Sequence, residues 1–256
     1  MIHPTAIVGK NVEIGENVEI GPFCVINDNV KIGDGTKLVS HVQIDSNTEI
    51  GKNNVINPFC VIGYPPQDLK YHGEDTKTII GDENIIREYT TIHRGTVTGR
   101  SETIVGSKNF IMAYSHIAHD CIVGDNNIFV NGATLGGHVT VGSGVYIGAY
   151  SGVHQFCRIG DHAFIGGYSV ITQDALPFVK TVGNRAKTYD INVIGLERKG
   201  FPRETIDALK KSYRILVRRG LKLKEALEEI RREFPHIPEA LYFADFIEQS
   251  QRGICR

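Results

Sequence analysis

One short segment, HIAHDC at residues 116–121, brings together several residue types that can do chemistry. Its two histidines, aspartate and cysteine could form a metal site or a general acid–base pair, because imidazole titrates near neutral pH and also binds transition metals. They could equally stand together by chance. Which chemistry is available depends on the backbone that carries them.

The segment lies within a six-residue repeat of aliphatic residues. The repeat runs through Ile2, Val8, Ile14, Ile20, Ile26, Ile32, Leu38, Ile44, Ile50, Ile56 and Ile62, then Ile80, Ile86 and Ile92, then Val105, Ile111, Ile117, Val123, Phe129, Leu135, Val141, Ile147, Val153, Ile159, Ile165 and Ile171. A period of six makes no stripe on a helix and does not match the two-residue alternation of a hairpin sheet. It is typical of a parallel β-helix, in which each hexad supplies a short strand and a turn. With three hexads per coil, residues 18 apart stack at about 4.8 Å, and the frequent glycine after the aliphatic position permits the corner.

The repeat is interrupted twice before it ends. We predict loop excursions at 64–79 and 98–104, a β-helix over 1–186, and a helical C-terminal domain over 187–256. Apolar residues at helical spacing predict helices at 202–219, 221–234 and 238–250 in that domain.

The repeat also interprets the cysteines. Cys24, Cys60, Cys121 and Cys157 each occupy the fifth place of a hexad, where other hexads carry Val, Thr, Ala or Ser. Cys24 and Cys60 are 36 residues apart, as are Cys121 and Cys157, so the members of each pair lie two coils apart. The expected separation of about 9.6 Å is too far for a disulfide. We therefore expect buried, reduced thiols without a metal or nucleophilic role, as is usual in a cytoplasmic protein.

Composition excludes some partners and suggests others. The formal net charge of −1 gives no reason to expect nucleic acid, and no apolar run predicts a membrane span or a signal peptide. From Glu197 to Lys224, however, ten Lys or Arg face only three acidic residues. This excess predicts an acidic partner or a phosphorylated substrate, the alternative being a solvated helix face.

Coil register predicts which polar residues share an edge of the prism. Residues 18 or 36 positions apart occupy the same column in successive coils. Counting from positions 118–120 therefore places the following residues together within three coils: His119, Asp120, Gly137, His138, His154 and Gln155. A histidine there could activate a hydroxyl as general base, and a glycine N–H could face a developing oxyanion. The alternative is that these turn residues are only solvated.

The first excursion is a candidate ligand-binding loop. Long loops on rigid scaffolds often bind ligands, and Lys70 could meet a phosphate or a carboxylate. The alternative is a loop that packs between subunits.

Along essentially its whole length the chain resembles the UDP-N-acetylglucosamine O-acyltransferases that begin lipid A biosynthesis in Gram-negative bacteria. The resemblance rests on the hexapeptide repeat together with QDLKY at 67–71, TIHRGT at 91–96, HIAHDC, GGHV at 136–139, HQFC at 154–157 and GLERKGF at 195–201. It implies an all-β left-handed parallel β-helix with a C-terminal α-helical domain, assembled as a homotrimer with active sites between neighbouring prisms. It also implies transfer of a 3-hydroxyacyl chain from acyl carrier protein to the 3-position of UDP-N-acetylglucosamine, with no cofactor besides the carrier thioester.

The resemblance assigns roles to individual residues. His119 matches the general base, Asp120 the residue that orients it, and the Gly137 N–H the oxyanion donor. Positions that match substrate contacts are Asp68, Lys70, His116, His138, His154, Gln155, Asn192 and Arg198. Gly167 matches the position that sets acyl-chain length.

Departures and rival interpretations remain. Relatives often carry glutamate where Ile194 stands and arginine where Lys199 stands, which affects the expected nucleotide contacts. Some relatives use a 3-amino sugar, and the motifs do not discriminate the acceptor atom. The rivals are the sister N-acyltransferase of the same pathway, a metal-dependent hexapeptide enzyme of γ-carbonic anhydrase type, and a non-catalytic scaffold.

Overall fold

The computed structural model describes residues 1–256 and folds the hexads into a left-handed parallel β-helix with the form of a three-sided prism. Its coil strands are β1 Ile7–Val8, β2 Glu13–Ile14, β3 Glu19–Ile20, β4 Val25–Ile26, β5 Lys31–Ile32, β6 Lys37–Leu38, β7 Gln43–Ile44, β8 Thr48–Ile50, β9 Val55–Ile56, β10 Val61–Tyr64, β11 Lys77–Ile80, β12 Ile85–Ile86, β13 Thr91–His93, β14 Glu102–Val105, β15 Phe110–Ile111, β16 His116–Ile117, β17 Ile122–Val123, β18 Ile128–Phe129, β19 Thr134–Leu135, β20 Thr140–Val141, β21 Tyr146–Ile147, β22 Gly152–Val153, β23 Arg158–Ile159, β24 Phe164–Ile165 and β25 Val170–Ile171. Most are two residues long, so that one side chain points outward and the aliphatic one points inward. The predicted fold class is confirmed.

Every third strand belongs to the same sheet. Sheet 1 contains nine strands from β1 to β25, sheet 2 eight strands from β2 to β23, and sheet 3 begins with β3 and contains ten. Partners such as Ile7 and Val25 are 18 residues apart, which confirms three hexads per coil. Sheets built in this way stack chemically similar residues directly above one another.

The two excursions leave the prism at the same corner, between sheets 1 and 2. Val61 pairs with Thr91 and Thr91 with His116, so the spacings of 30 and 25 exceed 18 by 12 and 7 residues. The excursions are therefore narrower than the predicted 64–79 and shifted from the predicted 98–104. Pairing with neighbouring coils draws 77–79 into β11 and 102–104 into β14. We call residues 65–76 the first loop and residues 94–101 the second loop.

The hexad glycines have a different role from the one expected. The left-handed turn conformation belongs mostly to other residues, for example Asn11, Phe23 and His41. A Cβ on Gly21 would lie far inside contact distance of the Val39 carbonyl oxygen in the next coil. Apart from Gly63, whose φ is 78°, these glycines are required because successive coils approach closely and not because the backbone needs positive φ.

Each corner of the prism has its own chemistry. The histidine corner, between sheets 1 and 2, carries both loops and residues 118–121, 136–139 and 154–157. The asparagine corner, between sheets 2 and 3, stacks Asn54, Asn84, Asn109 and Asn127 inside the prism. The aromatic corner, between sheets 3 and 1, stacks Phe23, His41, Phe59, Tyr89 and Tyr114 at 4.9–5.0 Å between ring centroids.

The prism interior is a single aliphatic core, and the cysteines belong to it. Cys24, Cys60, Cys121 and Cys157 are buried and free, as predicted, and so is Cys255. Burial raises the pKa of the Cys60 and Cys121 thiols to about 12. Such thiols are poor nucleophiles at neutral pH.

The C-terminal region packs on the end of sheet 3. A hairpin of β26 Val179–Val182 and β27 Lys187–Ile191 extends that sheet, and β27 lies beyond residue 186. Four helices follow, α1 Val193–Arg198, α2 Arg203–Arg218, α3 Leu223–Glu233 and α4 Pro238–Glu248. The sequence did not predict α1, and the division of the chain at residue 186 stays a prediction. None of these helices is long and apolar enough to span a membrane.

Candidate active site

His119 and Asp120 form a hydrogen-bonded pair at the histidine corner. The His119 Nδ1 lies 2.8 Å from Asp120 Oδ2. Asp120 occupies the left-handed turn position, with φ 60°, which an aspartate tolerates better than most residues. Its carboxylate is fully buried beneath the second loop, where Gly99 packs against it, while the His119 side chain stays 15 % exposed.

Asp120 is charged despite its burial. Burial alone would raise its pKa, but hydrogen bonds from His119, Thr96 and Arg100 outweigh this effect and hold the pKa at about 2. A carboxylate only accepts hydrogen bonds, so the neutral His119 carries its proton on Nδ1. Its Nε2 is then free to accept a proton.

Gly137 lies directly beside that nitrogen. A Cβ at position 137 would be 2.6 Å from His119 Cε1 and 2.7 Å from Nε2, so only glycine leaves the ring its place. The Gly137 N–H donates to no acceptor within the chain. An uncommitted backbone donor next to a base is the arrangement that stabilises an oxyanion.

An open cleft of about 700 Å³ faces the pair. Its walls are Gln67, Asp68, Leu69 and Lys70 of the first loop, Thr98 of the second loop, and His119, His138, Gln155 and Phe156 of the prism. The structure thus brings together five predicted site residues, Asp68, Lys70, His119, His138 and Gln155, from coils and a loop far apart in sequence.

Other predicted residues at this corner lie beside the cleft. His116 points outward from β16, bonded through Nδ1 to Thr91 Oγ1 at 2.7 Å and packed edge-on against His93. Burial and the neighbouring histidines lower the pKa of His93 to about 4 and lower that of His116 as well. His154 lies one coil beyond Gly136, and its Nδ1 lies 3.3 Å from Arg252 Nη2.

Asn192 and Arg198 do not reach this cleft. They line a second cavity of about 540 Å³, which lies on sheet 3 next to the asparagine corner. Ile194 and Lys199, the two departures from the family pattern, line the same cavity. Burial lowers the pKa of Lys199. Stacked Tyr146 and Phe164 form its apolar wall, with Lys180 nearby.

Gly167 lies at the aromatic corner, away from both cavities. A Cβ added there would meet only Ala149, whose carbonyl oxygen would be 3.4 Å away. The position is exposed and would accept a side chain, unlike the hexad glycines. Its role in acyl-chain length stays a prediction.

A metal at the pair would compete with existing bonds. Ligand-type atoms of His119, Asp120 and His138 lie within 4.8 Å of one another, whereas zinc requires three protein ligands at about 2 Å. Both Asp120 oxygens already accept hydrogen bonds from the second loop, and Oδ2 also accepts one from His119. The geometry favours an acid–base pair, and metal analysis of the purified protein tests this: stoichiometric zinc would overturn it.

Sequence reasoning missed several residues of the site. Phe156, which stacks on His138 at 4.4 Å, was within its reach because it stands 18 residues after His138 in the same column. Thr96 and Arg100 donate to Asp120 from the second loop, where no repeat fixes the register. Nothing periodic in the sequence signals these two contacts.

Stacked hexads with a histidine–carboxylate pair at one corner define a bacterial hexapeptide transferase, and the family model of that description matches residues 1–28, 11–46, 102–137 and 138–173. A second model, described as UDP-N-acetylglucosamine O-acyltransferase, domain 2, matches residues 174–255.

Several relatives are similar to this chain over its whole length. The acyl-(acyl-carrier-protein)–UDP-N-acetylglucosamine O-acyltransferase of Thermodesulfovibrio yellowstonii is 54% identical, with 100% of this chain and 99% of the relative covered. The enzyme of the same name from Aliivibrio fischeri is 51% identical, with 100% and 97% covered. The crystal structure of UDP-N-acetylglucosamine O-acyltransferase from Moraxella catarrhalis matches with a TM-score of 0.98 at 47% identity, covering 100% of this chain and 99% of that one. The chain belongs to the family of UDP-N-acetylglucosamine O-acyltransferases.

Proposed function

We propose that this protein transfers a 3-hydroxyacyl chain from acyl carrier protein to the 3-hydroxyl of UDP-N-acetylglucosamine, the first step of lipid A biosynthesis. The observation that carries the proposal is the His119–Asp120 pair at 2.8 Å, with Nε2 open to the cleft and the free N–H of Gly137 beside it.

The chemistry follows from these positions. Nε2 of His119 takes the proton of the sugar hydroxyl as the oxygen attacks the thioester carbonyl carbon. The resulting oxyanion accepts a hydrogen bond from the Gly137 N–H, and the charged Asp120 stabilises the imidazolium. Collapse breaks the carbon–sulfur bond, the new ester remains on the sugar, and the carrier thiolate takes the proton back from His119. No cofactor besides the carrier thioester is needed.

The cleft supplies the contacts for the acceptor sugar. Asp68 and Lys70 of the first loop stand opposite His138 and Gln155 across the cleft. Burial lowers the pKa of His138, so that it is mainly neutral and able to hydrogen bond a sugar hydroxyl. His116 and His154 flank the same corner and extend the contact surface along the prism.

The second cavity is the proposed nucleotide site. Arg198, Lys199 and Lys180 provide positive charge for a diphosphate, and Asn192 provides an amide for hydrogen bonding to the nucleotide. The stacked Tyr146 and Phe164 provide an apolar wall for a base. Ile194 at its edge, 65 % exposed, supplies no hydrogen bond where relatives often carry a carboxylate.

A homotrimer brings the two cavities together. In one chain they lie on either side of sheet 2, at different corners. A threefold axis beside the aromatic corner would place sheet 3 of one prism against sheet 1 of the next, so that the second cavity of one chain faces the cleft of its neighbour. The aromatic corner supports this arrangement, because Tyr114 and Tyr168 are 62 % and 72 % exposed and would be covered there.

The basic segment before and along α2 is the proposed contact for the carrier protein. Part of its charge is neutralised within the chain, since Arg203 and Lys210 pair with Asp207, Lys211 with Glu233, and Arg219 with Glu229. Arg198, Lys199, Arg214 and Arg218 have no carboxylate partner within the chain. An acidic carrier would bind these residues. With reduced, buried cysteines, this supports a cytoplasmic enzyme.

One assay tests the proposed reaction. Purified protein is supplied with 3-hydroxyacyl carrier proteins of graded length and either UDP-N-acetylglucosamine or its 3-amino analogue. We expect ester formation with the hydroxy sugar, and a fall of about 10³-fold or more in His119→Ala while the trimer stays intact. Amide formation with the amino sugar alone would reassign the acceptor atom, and unchanged turnover in His119→Ala would remove the general base from the mechanism.

The same assay tests the proposed role of Gly167. Gly167→Met adds a flexible side chain where a Cβ meets only Ala149 within the chain, so the fold of the single chain should be little affected, and gel filtration checks that the trimer stays intact. If the acyl chain ends here, the variant should prefer carrier substrates several carbons shorter. An unchanged length preference would place the end of the acyl chain elsewhere.

A further inference from the structure

Three consecutive residues at the start of the second loop, Arg94–Gly95–Thr96, fasten both stems of the first loop. The Arg94 N–H donates to the Tyr64 carbonyl at 3.1 Å, and the Gly95 N–H donates to the Lys77 carbonyl at 3.1 Å. Tyr64 and Lys77 are the residues that immediately precede and follow the first loop. Its two ends are therefore held by neighbouring peptide groups.

The Arg94 side chain strengthens this attachment. Its Nε donates to the Gly63 carbonyl at 2.6 Å, and Nη2 donates to Asp45 Oδ2 at 2.9 Å and to the Ser46 carbonyl at 2.8 Å. The guanidinium is buried, and Asp45 also accepts from Asn27. A buried guanidinium held by a carboxylate and two carbonyls has a fixed orientation, because leaving any of these groups unpaired is unfavourable.

Thr96, the next residue, holds the carboxylate of the catalytic pair. Its hydroxyl donates to Asp120 Oδ2 at 2.7 Å and its N–H lies 3.1 Å from Oδ1. The Arg100 N–H donates to Oδ1 at 2.9 Å from the far end of the same loop. With His119 these donors surround a carboxylate that has no contact with solvent.

The glycines of this loop are required by the close packing. A Cβ on Gly95 would lie well inside contact distance of the Glu102 nitrogen, and one on Gly99 would overlap the Asp120 carboxylate. The loop thus approaches β14 and Asp120 as closely as a backbone can.

From these contacts we propose that Arg94–Gly95–Thr96 is a clip that sets the position of the first loop relative to the His119–Asp120 pair. Arg94 and Thr96 are positioning residues, since neither touches the cleft: Arg94 acts through the first loop and Thr96 acts through Asp120. This inference rests on the proposed acyl transfer, in which the first loop holds the sugar nucleotide and the pair removes the proton.

The clip has two arms: the Arg94 arm, which holds the first loop, and the Thr96 arm, which holds Asp120. Loss of each arm predicts a different kinetic defect. Loosening the first loop weakens substrate binding and raises KM for the sugar nucleotide with kcat nearly unchanged. Loosening Asp120 reduces the ability of His119 to act as base, so kcat falls with KM nearly unchanged. A general loss of structure would change both together and would destabilise the trimer.

The Thr96 arm is tested with an isosteric substitution. Thr96→Val removes the hydroxyl donor, and we expect kcat to fall about tenfold, the worth of one hydrogen bond to a charged group. Thr96→Ser keeps the hydroxyl and should restore most of the rate. The reverse isosteric change at the exposed neighbour, Val97→Thr, is the matched control and should leave kcat unchanged.

The pH profile gives an independent measure. Charged or titratable groups around Asp120 are His119, His138, Arg100 and the Cys121 thiol. Losing the Thr96 donor raises the pKa of Asp120, because the carboxylate is less stabilised. A more basic carboxylate favours the protonated form of His119 beside it, so Thr96→Val should lose activity at a higher pH on the acid side than the wild type does.

The Arg94 arm is tested with Arg94→Lys, which keeps the charge but loses the planar fork. We expect KM for UDP-N-acetylglucosamine to rise about tenfold with kcat within about twofold of the wild type. Arg232→Lys on the exposed face of α3 is the matched control. Gel filtration and thermal unfolding confirm that each variant is a folded trimer. Where Arg94→Lys does not fold, Asp45→Asn removes the charge partner while keeping an acceptor, with the same expected KM effect.

The outcomes separate the clip from the proposed function. If the wild type transfers no acyl group, the proposed reaction is wrong. If it does and Thr96→Val matches Val97→Thr in kcat and pH profile, Thr96 has no positioning role. An Arg94→Lys variant with unchanged KM would likewise refute the Arg94 arm.

Discussion

The asparagine corner and the histidine corner are built from the same hexads, yet they treat buried polar groups in opposite ways. In the asparagine corner each side-chain oxygen accepts hydrogen bonds from the asparagine in the next coil. Asn84 donates from its backbone N and its Nδ2 to Asn54 Oδ1, and Asn109 donates in the same way to Asn84 Oδ1. The ladder continues to Asn127 and ends on the Val145 N–H at 2.7 Å. Apart from Asn127 Nδ2, which has no partner, the repeated asparagines form their hydrogen bonds without any loop.

The histidine corner breaks the repeat at the same level of the prism. Asp120 accepts bonds from a loop, Gly137 leaves its N–H unused, and His119 leaves Nε2 open to a cleft. The difference shows how a stable repeat acquires chemistry. A regular corner pairs most of its polar groups within the repeat and stabilises the fold, whereas an active corner needs inserted segments to hold charge and to leave donors and acceptors free.

The largest expected effect comes from disturbing the histidine corner. Asp120→Asn keeps the shape but offers an amide in place of a carboxylate, so Nδ1 of His119 no longer faces a negative charge. We expect kcat to fall about 10³-fold or more, as is common for orienting carboxylates. Steady-state kinetics with trimer size as the control tests this. An active Asp120→Asn enzyme would show that the carboxylate does not orient the base.

The matching change in the asparagine corner should act on stability instead. Asn84→Ala leaves the Asn109 backbone and side-chain nitrogens and the Gly106 carbonyl without their partner, while the Asn54 oxygen keeps only the backbone N–H of position 84. We expect a loss of about 3 kcal/mol in the free energy of unfolding, since several buried groups lose a hydrogen bond. Denaturant unfolding measures the loss, and the turnover per folded enzyme should be unchanged. A drop in turnover at full folding would mean that the two corners are not independent.

The smallest expected effect is a difference in acid sensitivity. The pKa of Asp120 is about 2 in the folded protein, below its ordinary 3.8, so its contribution to stability is complete above about pH 4. That contribution is lost as the pH falls from about 4 to 2, and amounts to about 2 kcal/mol. As the pH falls over this range, the free energy of unfolding of Asp120→Asn should therefore decrease by about 2 kcal/mol less than that of the wild type. If the free energy of unfolding decreases equally with falling pH in Asp120→Asn and in the wild type, the second loop does not hold a charged carboxylate.

Much of the regular part of the molecule could be predicted from the sequence. A period of six places Ile117 and Cys121 inside the prism and collects His119, His138 and Gln155 on one edge, because stacking of coils is a matter of counting by 18. The same counting could have added Phe156. It also explains why Asn192 and Arg198 were identified by resemblance alone, since they lie beyond the last coil.

The rest depends on segments that no period controls. The bond from Thr96 to Asp120 requires the path of the second loop, which the sequence does not specify locally. The role of the hexad glycines was misinterpreted for a similar reason. Positive φ is a property of one residue, whereas the close approach of Gly21 to Val39 involves two coils.

The central claim is that the cleft of one chain and the second cavity of its neighbour form one active site. Mixed trimers test it most directly: chains carrying His119→Ala are co-expressed in equal amounts with chains carrying Arg198→Ala, each inactive or strongly impaired alone. Because a mixed trimer contains one interface with both residues intact, random mixing predicts about a quarter of wild-type activity. Activity no higher than that of either variant alone would contradict the claim and place the whole site within one chain.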